Sequence, residues 1–136
     1  MKKLLITFLI LVLALTTFGC AGSSDNTGGT EDTDSNKLQV AYINAADTDV
    51  FDAMRKDALV SVLDESKYEV TFYDSNKDIQ KQLDYVDNAI TDKVDLIILV
   101  PVDGEGAVPG VEAANAAGIP VICLGINAAG GDYTFV

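Results

Sequence analysis

Residues 94–124 constrain the fold of this chain most, because their pattern changes from continuous apolar to helical and back to apolar. The first apolar run, Leu96–Val100, is typical of a parallel strand that is covered on both faces. Small residues follow, and Gly118 with Pro120 is expected to end the helix that they form. A second run, Val121–Leu124, would lie parallel to the first through a right-handed crossover. The pattern therefore predicts one strand–helix–strand unit.

Two further strand and helix patterns precede this unit. Residues 37–44 and 68–73 have the composition of strands, and each is followed by polar residues that can cap a helix. The core-facing positions expected from apolar spacing are Phe51, Met54, Ala58 and Val62 in the first helix, and Ile79, Leu83, Val86 and Ile90 in the second. Four strands alternating with three helices, and the start of a fifth strand at Tyr133–Val136, predict an α/β fold. We expect three layers around a doubly wound parallel sheet of order 2-1-3-4.

The amino-terminal residues predict export from the cytoplasm. Residues 1–19 combine two lysines, an apolar core at residues 4–15 and a small, polar end, which is typical of a secretory signal peptide. The apolar core is shorter than the roughly 20 residues of a membrane-spanning helix. The sequence around Cys20 resembles a bacterial lipobox, in which the cysteine is lipidated, although Thr17 stands where an aliphatic residue is usual. An ordinary cleaved signal and a retained membrane anchor are the alternatives.

The segment after Cys20 differs in composition from the rest of the chain. Residues 21–36 contain no aliphatic side chain larger than alanine and are rich in small, polar and acidic residues. Such a segment cannot bury enough apolar surface to order itself. Residues 20–36 are therefore predicted to be a lipidated cysteine with a disordered tether, and residues 37–136 to be one domain. The lipid would hold this domain at the outer face of the cell membrane, in the cell envelope.

Composition and missing motifs argue against several classes of protein. The net charge of −12 makes nucleic acid an unsuitable partner. The chain has no histidine, which excludes histidine as a general base or metal ligand, and we expect neither a metal nor a cofactor. No glycine-rich phosphate loop follows the first strand. Acidic residues such as Asp47 and Asp49 could serve acid–base chemistry, but carboxylates more commonly cap helices, so we expect no enzyme. Cys123 is expected to be a small buried residue.

Four segments within residues 38–136 occur in a telling order, namely VFDAMRKDA, YDSNKDIQKQLDYVDNAI, VDLIILVPVD and AANAAGIPVICL. Together they resemble the periplasmic binding proteins of the sugar-binding type, closest to the galactose/glucose- and ribose-binding branch. The resemblance implies a type I lobe and a receptor whose two lobes close on a small solute, most simply a carbohydrate. It also implies delivery of that solute to an ABC permease or, alternatively, presentation to a chemoreceptor or histidine kinase. The sequence is interpreted as a truncated N-terminal lobe, with a single-lobe protein as the alternative.

The resemblance also implies roles for particular residues. Phe51 aligns with an aromatic residue that stacks on a sugar ring, and Asp49 with a residue that accepts hydrogen bonds from sugar hydroxyls. Alternatively, Phe51 begins the core stripe of the first helix and Asp49 caps that helix. Asp103 would cap the third helix or contact the ligand. Asp78 would cap the second helix, with Gln82 at the surface or behind a ligand contact.

The chain departs from the family pattern at two places on the predicted binding edge. Val100 replaces a ligand-contacting asparagine, and Gly125–Ile126 replaces a polar pair after the fourth strand. Asn44 and Asn127 are the residues expected to compensate for these losses. The expected ligand is therefore sugar-like rather than galactose or ribose as such.

Overall fold

The computed structural model describes residues 37–136. This part of the chain contains five strands and three helices in alternation. The strands are β1 (Leu38–Asn44), β2 (Tyr68–Asp74), β3 (Leu96–Leu99), β4 (Val121–Cys123) and β5 (Thr134–Phe135). The helices are α1 (Val50–Val62), α2 (Ile79–Thr91) and α3 (Gly104–Ala116). The predicted signal peptide at 1–19, the lipidated Cys20 and the tether at 20–36 lie outside the described residues.

The five strands form one parallel sheet in the order β2-β1-β3-β4-β5. The predicted order 2-1-3-4 and the start of a fifth strand are therefore confirmed. Val40 of β1 pairs with Val70 on one side and with Leu96 on the other, so the first strand of the chain lies inside the sheet. Because all strands are parallel, their carboxyl ends meet at one edge.

The sheet is covered by helices on both faces, as the prediction of three layers requires. Successive residues of a strand point to opposite faces. Ile43 of β1 belongs to a buried cluster with Val86 of α2 and Val111 of α3. Its neighbour Tyr42 belongs to a second cluster on the other face, against which Leu59 of α1 packs. Helix α1 therefore covers one face, and helices α2 and α3 cover the other.

Helix α1 packs on the sheet through a stripe different from the predicted one. Phe51, Met54 and Val62 are 73%, 62% and 80% exposed, and Ala58 is exposed as well. The buried residue of α1 is instead Asp52. The prediction of the stripe was wrong because it sought apolar side chains, whereas the sheet-facing side of α1 begins with a charged one.

Aspartate side chains cap all three helices of the described chain. Asp49, Asp78 and Asp103 accept hydrogen bonds from backbone N–H groups of the first turn at 3.0, 3.1 and 2.7 Å, respectively. Helix α3 ends before Gly118, whose φ of +76° suits glycine, as predicted. Within residues 37–136, no helix has the length and apolar character needed to span a membrane.

Candidate ligand-binding cleft

A cleft of about 420 Å³ opens beyond the carboxyl ends of β1, β3 and β4. Its charged lining residues are Asp49, Asp52, Arg55 and Lys77. Its apolar lining residues are Ala45, Phe51, Val100, Pro101, Val102 and Ile126. The cleft lies where the order of a doubly wound sheet reverses, between β1 and β3, which is where such folds bind ligands.

Two of the predicted site residues, Asp49 and Phe51, line this cleft. Asp49 also caps α1 through its Oδ1 atom, which accepts a hydrogen bond from the backbone N–H of Phe51. The Phe51 ring is 73% exposed and therefore does not belong to the core stripe that was its alternative interpretation. A carboxylate beside an exposed aromatic ring offers both a hydrogen-bond acceptor and a flat apolar surface.

The other three predicted site residues do not line the cleft. Asn44 is buried, and its Nδ2 atom donates a hydrogen bond to Oδ1 of Asp47 at 2.7 Å. Asp103 is exposed and caps α3. Asn127 is exposed, and its backbone oxygen lies so close to Gly104 that a Cβ atom there would approach it to 2.7 Å. The contacts of all three residues are therefore with residues outside the lining of the cleft.

The sequence prediction missed Lys77 and an ion pair between Asp52 and Arg55 in the lining of the cleft. Nη2 of Arg55 donates to Oδ1 of Asp52, which is only 5% exposed. The other oxygen of Asp52 accepts a hydrogen bond from the backbone N–H of Ala46 at 3.3 Å. An acidic residue followed three positions later by a basic one on a helix is a recognisable signal for such a pair. The pair introduces a fixed cation into the cleft.

The guanidinium group of Arg55 lies against the backbone of Gly125, which follows β4. A Cβ atom at position 125 would lie 3.2 Å from Cζ of Arg55 and closer still to Nη1. The φ angle of Gly125 is +74°, which also favours glycine. The predicted loss of polar groups at Gly125 is therefore offset by a polar group that enters from α1.

Gln82 supports the wall of the cleft from behind. This α2 residue is 1% exposed, so it lies behind the cleft rather than at the surface. Its Nε2 atom donates to the carbonyl oxygen of Val100 at 2.9 Å, and its Oε1 atom accepts from the backbone N–H of Val102 at 3.1 Å. Both backbone groups belong to residues that line the cleft. Gln82 therefore fixes the turn after β3.

The pKa values of the buried Tyr42 and the exposed Asp47 are shifted from their ordinary values. Burial raises the pKa of the Tyr42 hydroxyl, whose oxygen has no hydrogen-bond partner among the described residues. Arg55 opposes this increase, whereas Asp52 adds to it. The hydrogen bond from Asn44 lowers the pKa of Asp47, and Lys56, 3.0 Å away, acts in the same direction.

Neither a metal cluster nor a reactive thiol is present in the cleft. Within residues 37–136, no three side chains of the metal-ligating kinds come together. Cys123 is buried in β4 as predicted, and burial raises the pKa of its thiol. The residues that line the cleft offer hydrogen bonding, charge and an aromatic surface.

Comparisons with known proteins agree with this picture. Residues 37–136 match the family described as periplasmic binding protein domain. The chain is 29% identical over 117 residues to the xylitol-binding protein of Mycolicibacterium smegmatis, a match that covers 85% of this chain and 33% of that protein. The named relatives are solute-binding proteins, a class of proteins that are not enzymes.

Solved structures show the same fold. An ABC transporter solute-binding protein from Mycobacterium smegmatis with bound glycerol is 30% identical, with a TM-score of 0.68 over 74% of this chain and 35% of that one. One from Bacillus halodurans with bound myo-inositol is 33% identical, with a TM-score of 0.54 over 67% and 32%. The fructose-binding periplasmic domain of a hybrid two-component system shares the fold at 23% identity, with a TM-score of 0.65 over 73% and 33%.

The share of each protein that these matches cover decides which conclusions they support. The chain spans about a third of the length of the relatives that it matches. The family match nevertheless covers every residue that the structure describes. The predicted type I lobe and the predicted resemblance to sugar-binding receptors are both confirmed. The chain belongs to the periplasmic binding protein domain family.

Proposed function

We propose that residues 37–136 form the N-terminal lobe of an extracytoplasmic receptor that captures a small sugar or polyol. The observation that carries this proposal is the pairing of the exposed Phe51 ring with the Asp49 carboxylate in the cleft. The relatives support the ligand class, since their names report xylitol, glycerol and myo-inositol, which are all small and hydroxyl-rich.

The chemistry of the two residues suits such a ligand. The C–H groups on one side of a sugar or cyclic polyol form a flat apolar patch that can pack on the Phe51 ring. The hydroxyl groups at its rim can donate charge-assisted hydrogen bonds to Asp49. Val100 and Pro101 are almost fully buried and form an apolar wall that would exclude water from these contacts.

The receptor is proposed to deliver its ligand to an ABC-type importer. Two of the similar structures are solute-binding proteins of ABC transporters, which supports this role. The proposed signal peptide at 1–19 would direct export, and lipidation of Cys20 would retain the receptor at the membrane that holds the permease. Mass spectrometry of the exported protein tests the anchor, because an unmodified Cys20 would contradict it.

The ligand class can be tested with the full-length gene product purified from its native host. A thermal-shift screen would compare neutral polyols, pentoses and hexoses with amino acids and nucleosides. We expect a polyol or sugar to raise Tm, because a ligand that binds only the folded protein stabilises it. Calorimetry would then give its Kd. Stabilisation by amino acids or nucleosides alone would contradict the proposal.

A sensory receptor is the second candidate, because the periplasmic domain of a hybrid two-component system has the same fold. The two roles differ in what is lost when the gene is deleted. An importer predicts loss of uptake of the radiolabelled ligand. A sensor predicts normal uptake and loss of the transcriptional response to that ligand.

A further inference from the structure

The cation of Arg55 is held in the cleft by a buried partner. Oδ1 of Asp52 accepts a hydrogen bond from Nη2 of Arg55, and Oδ2 of Asp52 accepts one from the backbone N–H of Ala46 at 3.3 Å. Asp52 is 5% exposed, so its carboxylate is directed at the protein rather than at solvent. The effect of Asp52 on the cleft is therefore to fix the position of the Arg55 guanidinium group.

Arg55 retains hydrogen-bonding capacity that the protein does not use. A guanidinium group has five N–H donors. Within residues 37–136, Nη2 bonds to Asp52, while Nε is buried and has no hydrogen-bond partner. The side chain is 35% exposed and lines the cleft. Because Nε is buried, a ligand can reach only the exposed part of the guanidinium group, where N–H groups that Asp52 does not use can donate to its acceptor oxygens.

Gly125 provides the space that Arg55 occupies. A Cβ atom at this position would lie 3.2 Å from Cζ and 3.6 Å from Nη2 of Arg55, and closer still to Nη1. Any other residue would therefore displace the guanidinium group. Gly118 offers a direct comparison, because its φ of +76° is similar but a Cβ atom there would have no neighbour within 4 Å.

We propose that Arg55 is a specificity-determining residue of the cleft, and that its free N–H groups donate hydrogen bonds to hydroxyl oxygens of an uncharged polyol or sugar. This inference rests on the proposed function and names the ligand class more narrowly. The charged lining is balanced, with Asp49 and Asp52 against Arg55 and Lys77. Since Asp52 already neutralises Arg55, the carboxylate of a sugar acid would add a buried charge without compensation.

Calorimetry on the full-length gene product tests the role of Arg55. The neutral probes are xylitol, myo-inositol, D-ribose and D-allose, and D-xylonate is the acid that matches xylitol. We expect at least one neutral probe to bind, and D-xylonate to bind more weakly than xylitol. Arg55→Gln should lower the affinity for the tightest-binding neutral probe by about tenfold or more, because it removes charged hydrogen bonds. Lys67→Gln removes a mostly exposed cation outside the cleft and should leave binding unchanged.

Two glycine variants test the same geometry while both charged side chains are retained. Gly125→Ala should weaken binding to a degree similar to Arg55→Gln, whereas Gly118→Ala carries the same backbone strain and should not. In the double variant Arg55→Gln/Gly125→Ala, the effects should not add, because both changes remove one interaction. If Arg55→Gln fails to fold because Asp52 is left unpaired, Asp52→Asn/Arg55→Gln removes both charges.

The outcomes separate this inference from the proposed function. A wild-type protein that binds none of the neutral probes would overturn both. A wild-type protein that binds them while Arg55→Gln binds equally well would overturn the inference alone. Equal effects of Gly125→Ala and Gly118→Ala would do the same, as would a preference for D-xylonate over xylitol.

Discussion

The side chain of Gln82 donates a hydrogen bond to the carbonyl oxygen of Val100 at 2.9 Å, across the interface between α2 and the end of β3. The same amide accepts a bond from the backbone N–H of Val102 at 3.1 Å. One buried side chain therefore satisfies a backbone acceptor and a backbone donor of the cleft wall.

Replacing Gln82 by alanine should destabilise the protein strongly. The variant leaves buried backbone groups without partners and creates a cavity, for which we expect a loss of about 2–4 kcal/mol in the free energy of unfolding. Gln80→Ala is the control, because Gln80 is exposed on the same helix and bonds only Asp84 among the described residues. It should cost at most about 0.5 kcal/mol. Urea unfolding measures both, and equal values would contradict the supporting role of Gln82.

Replacing Phe51 by alanine should affect ligand binding far more than stability. The ring is 73% exposed, so its removal should change the free energy of unfolding by no more than about 0.5 kcal/mol. Loss of its stacking surface should weaken ligand binding about tenfold. Met54→Ala provides the control, since Met54 is 62% exposed on the same helix but does not line the cleft. Equal affinity of the two variants, measured by calorimetry, would count against stacking.

Two substitutions at Asp49 should separate its capping role from its contact with a ligand. Asparagine can still cap a helix, so Asp49→Asn should keep most of the stability but weaken ligand binding through loss of the charge. Asp49→Ala should also lose about 1 kcal/mol of stability. Asp78→Ala, which removes the cap of α2, should lose stability without a direct effect on the cleft. Full affinity in Asp49→Asn would exclude a role for its charge.

The stabilising effect of Asp47 should depend on pH in the acid range. The hydrogen bond from Asn44 and the charge of Lys56 lower the pKa of Asp47 from 3.8 in the folded protein. A lowered pKa means that the ionised group stabilises the fold above pH of about 4, and that this contribution disappears as the pH falls through the folded pKa. The stability difference between wild type and Asp47→Asn should therefore be largest near neutral pH and shrink in acid.

The size of this contribution should be modest, because the side chain of Asp47 is 39% exposed and solvent screens its interactions. Added salt should reduce the part that comes from Lys56. A stability difference that stays constant from neutral to acid pH would contradict the ionic origin of the effect.

Replacing Tyr42 by phenylalanine should leave stability unchanged or increase it. The hydroxyl is buried and has no hydrogen-bond partner among residues 37–136, so its removal eliminates an unfavourable group. The ring, 5.5 Å from that of Phe72 between centroids, would keep its packing. Thermal unfolding tests this expectation, and a decrease of Tm by several degrees would show that the hydroxyl is stabilising.

The sheet and the helix caps could be predicted because their signals are local. The apolar run Leu96–Val100 predicts a buried strand wherever it occurs, and an aspartate before an apolar periodic segment predicts a cap. Helix α1 was harder, since its apolar spacing favoured the stripe that begins at Phe51, whereas its sheet-facing side begins with the charged Asp52. Only the folded chain shows that the buried stripe contains Asp52 rather than Phe51.

The cleft could be predicted in position but not in its charged content. Its place follows from the strand order, which the sequence pattern implies. The contact between Arg55 and Gly125 joins α1 to the loop after β4, and it is possible because glycine has no side chain at position 125. No local pattern connects these two residues, so the sequence suggested a cleft poorer in polar groups than the one that forms.

The internal position of β1 has a consequence for how the chain reaches its native state. Gln39 of β1 bonds Asp95, a residue 56 positions away, immediately before β3. Until β3 pairs with β1, one hydrogen-bonding edge of β1 is unpaired. Ala41 and Ile43 then also lack the β3 residues that lie beside them in the buried cluster. Because such distant pairing must close a long loop first, we expect folding to be slower than that of a helical bundle of equal size. During this interval the open edge of β1 can pair wrongly, so a chaperone that keeps the chain unfolded would protect it.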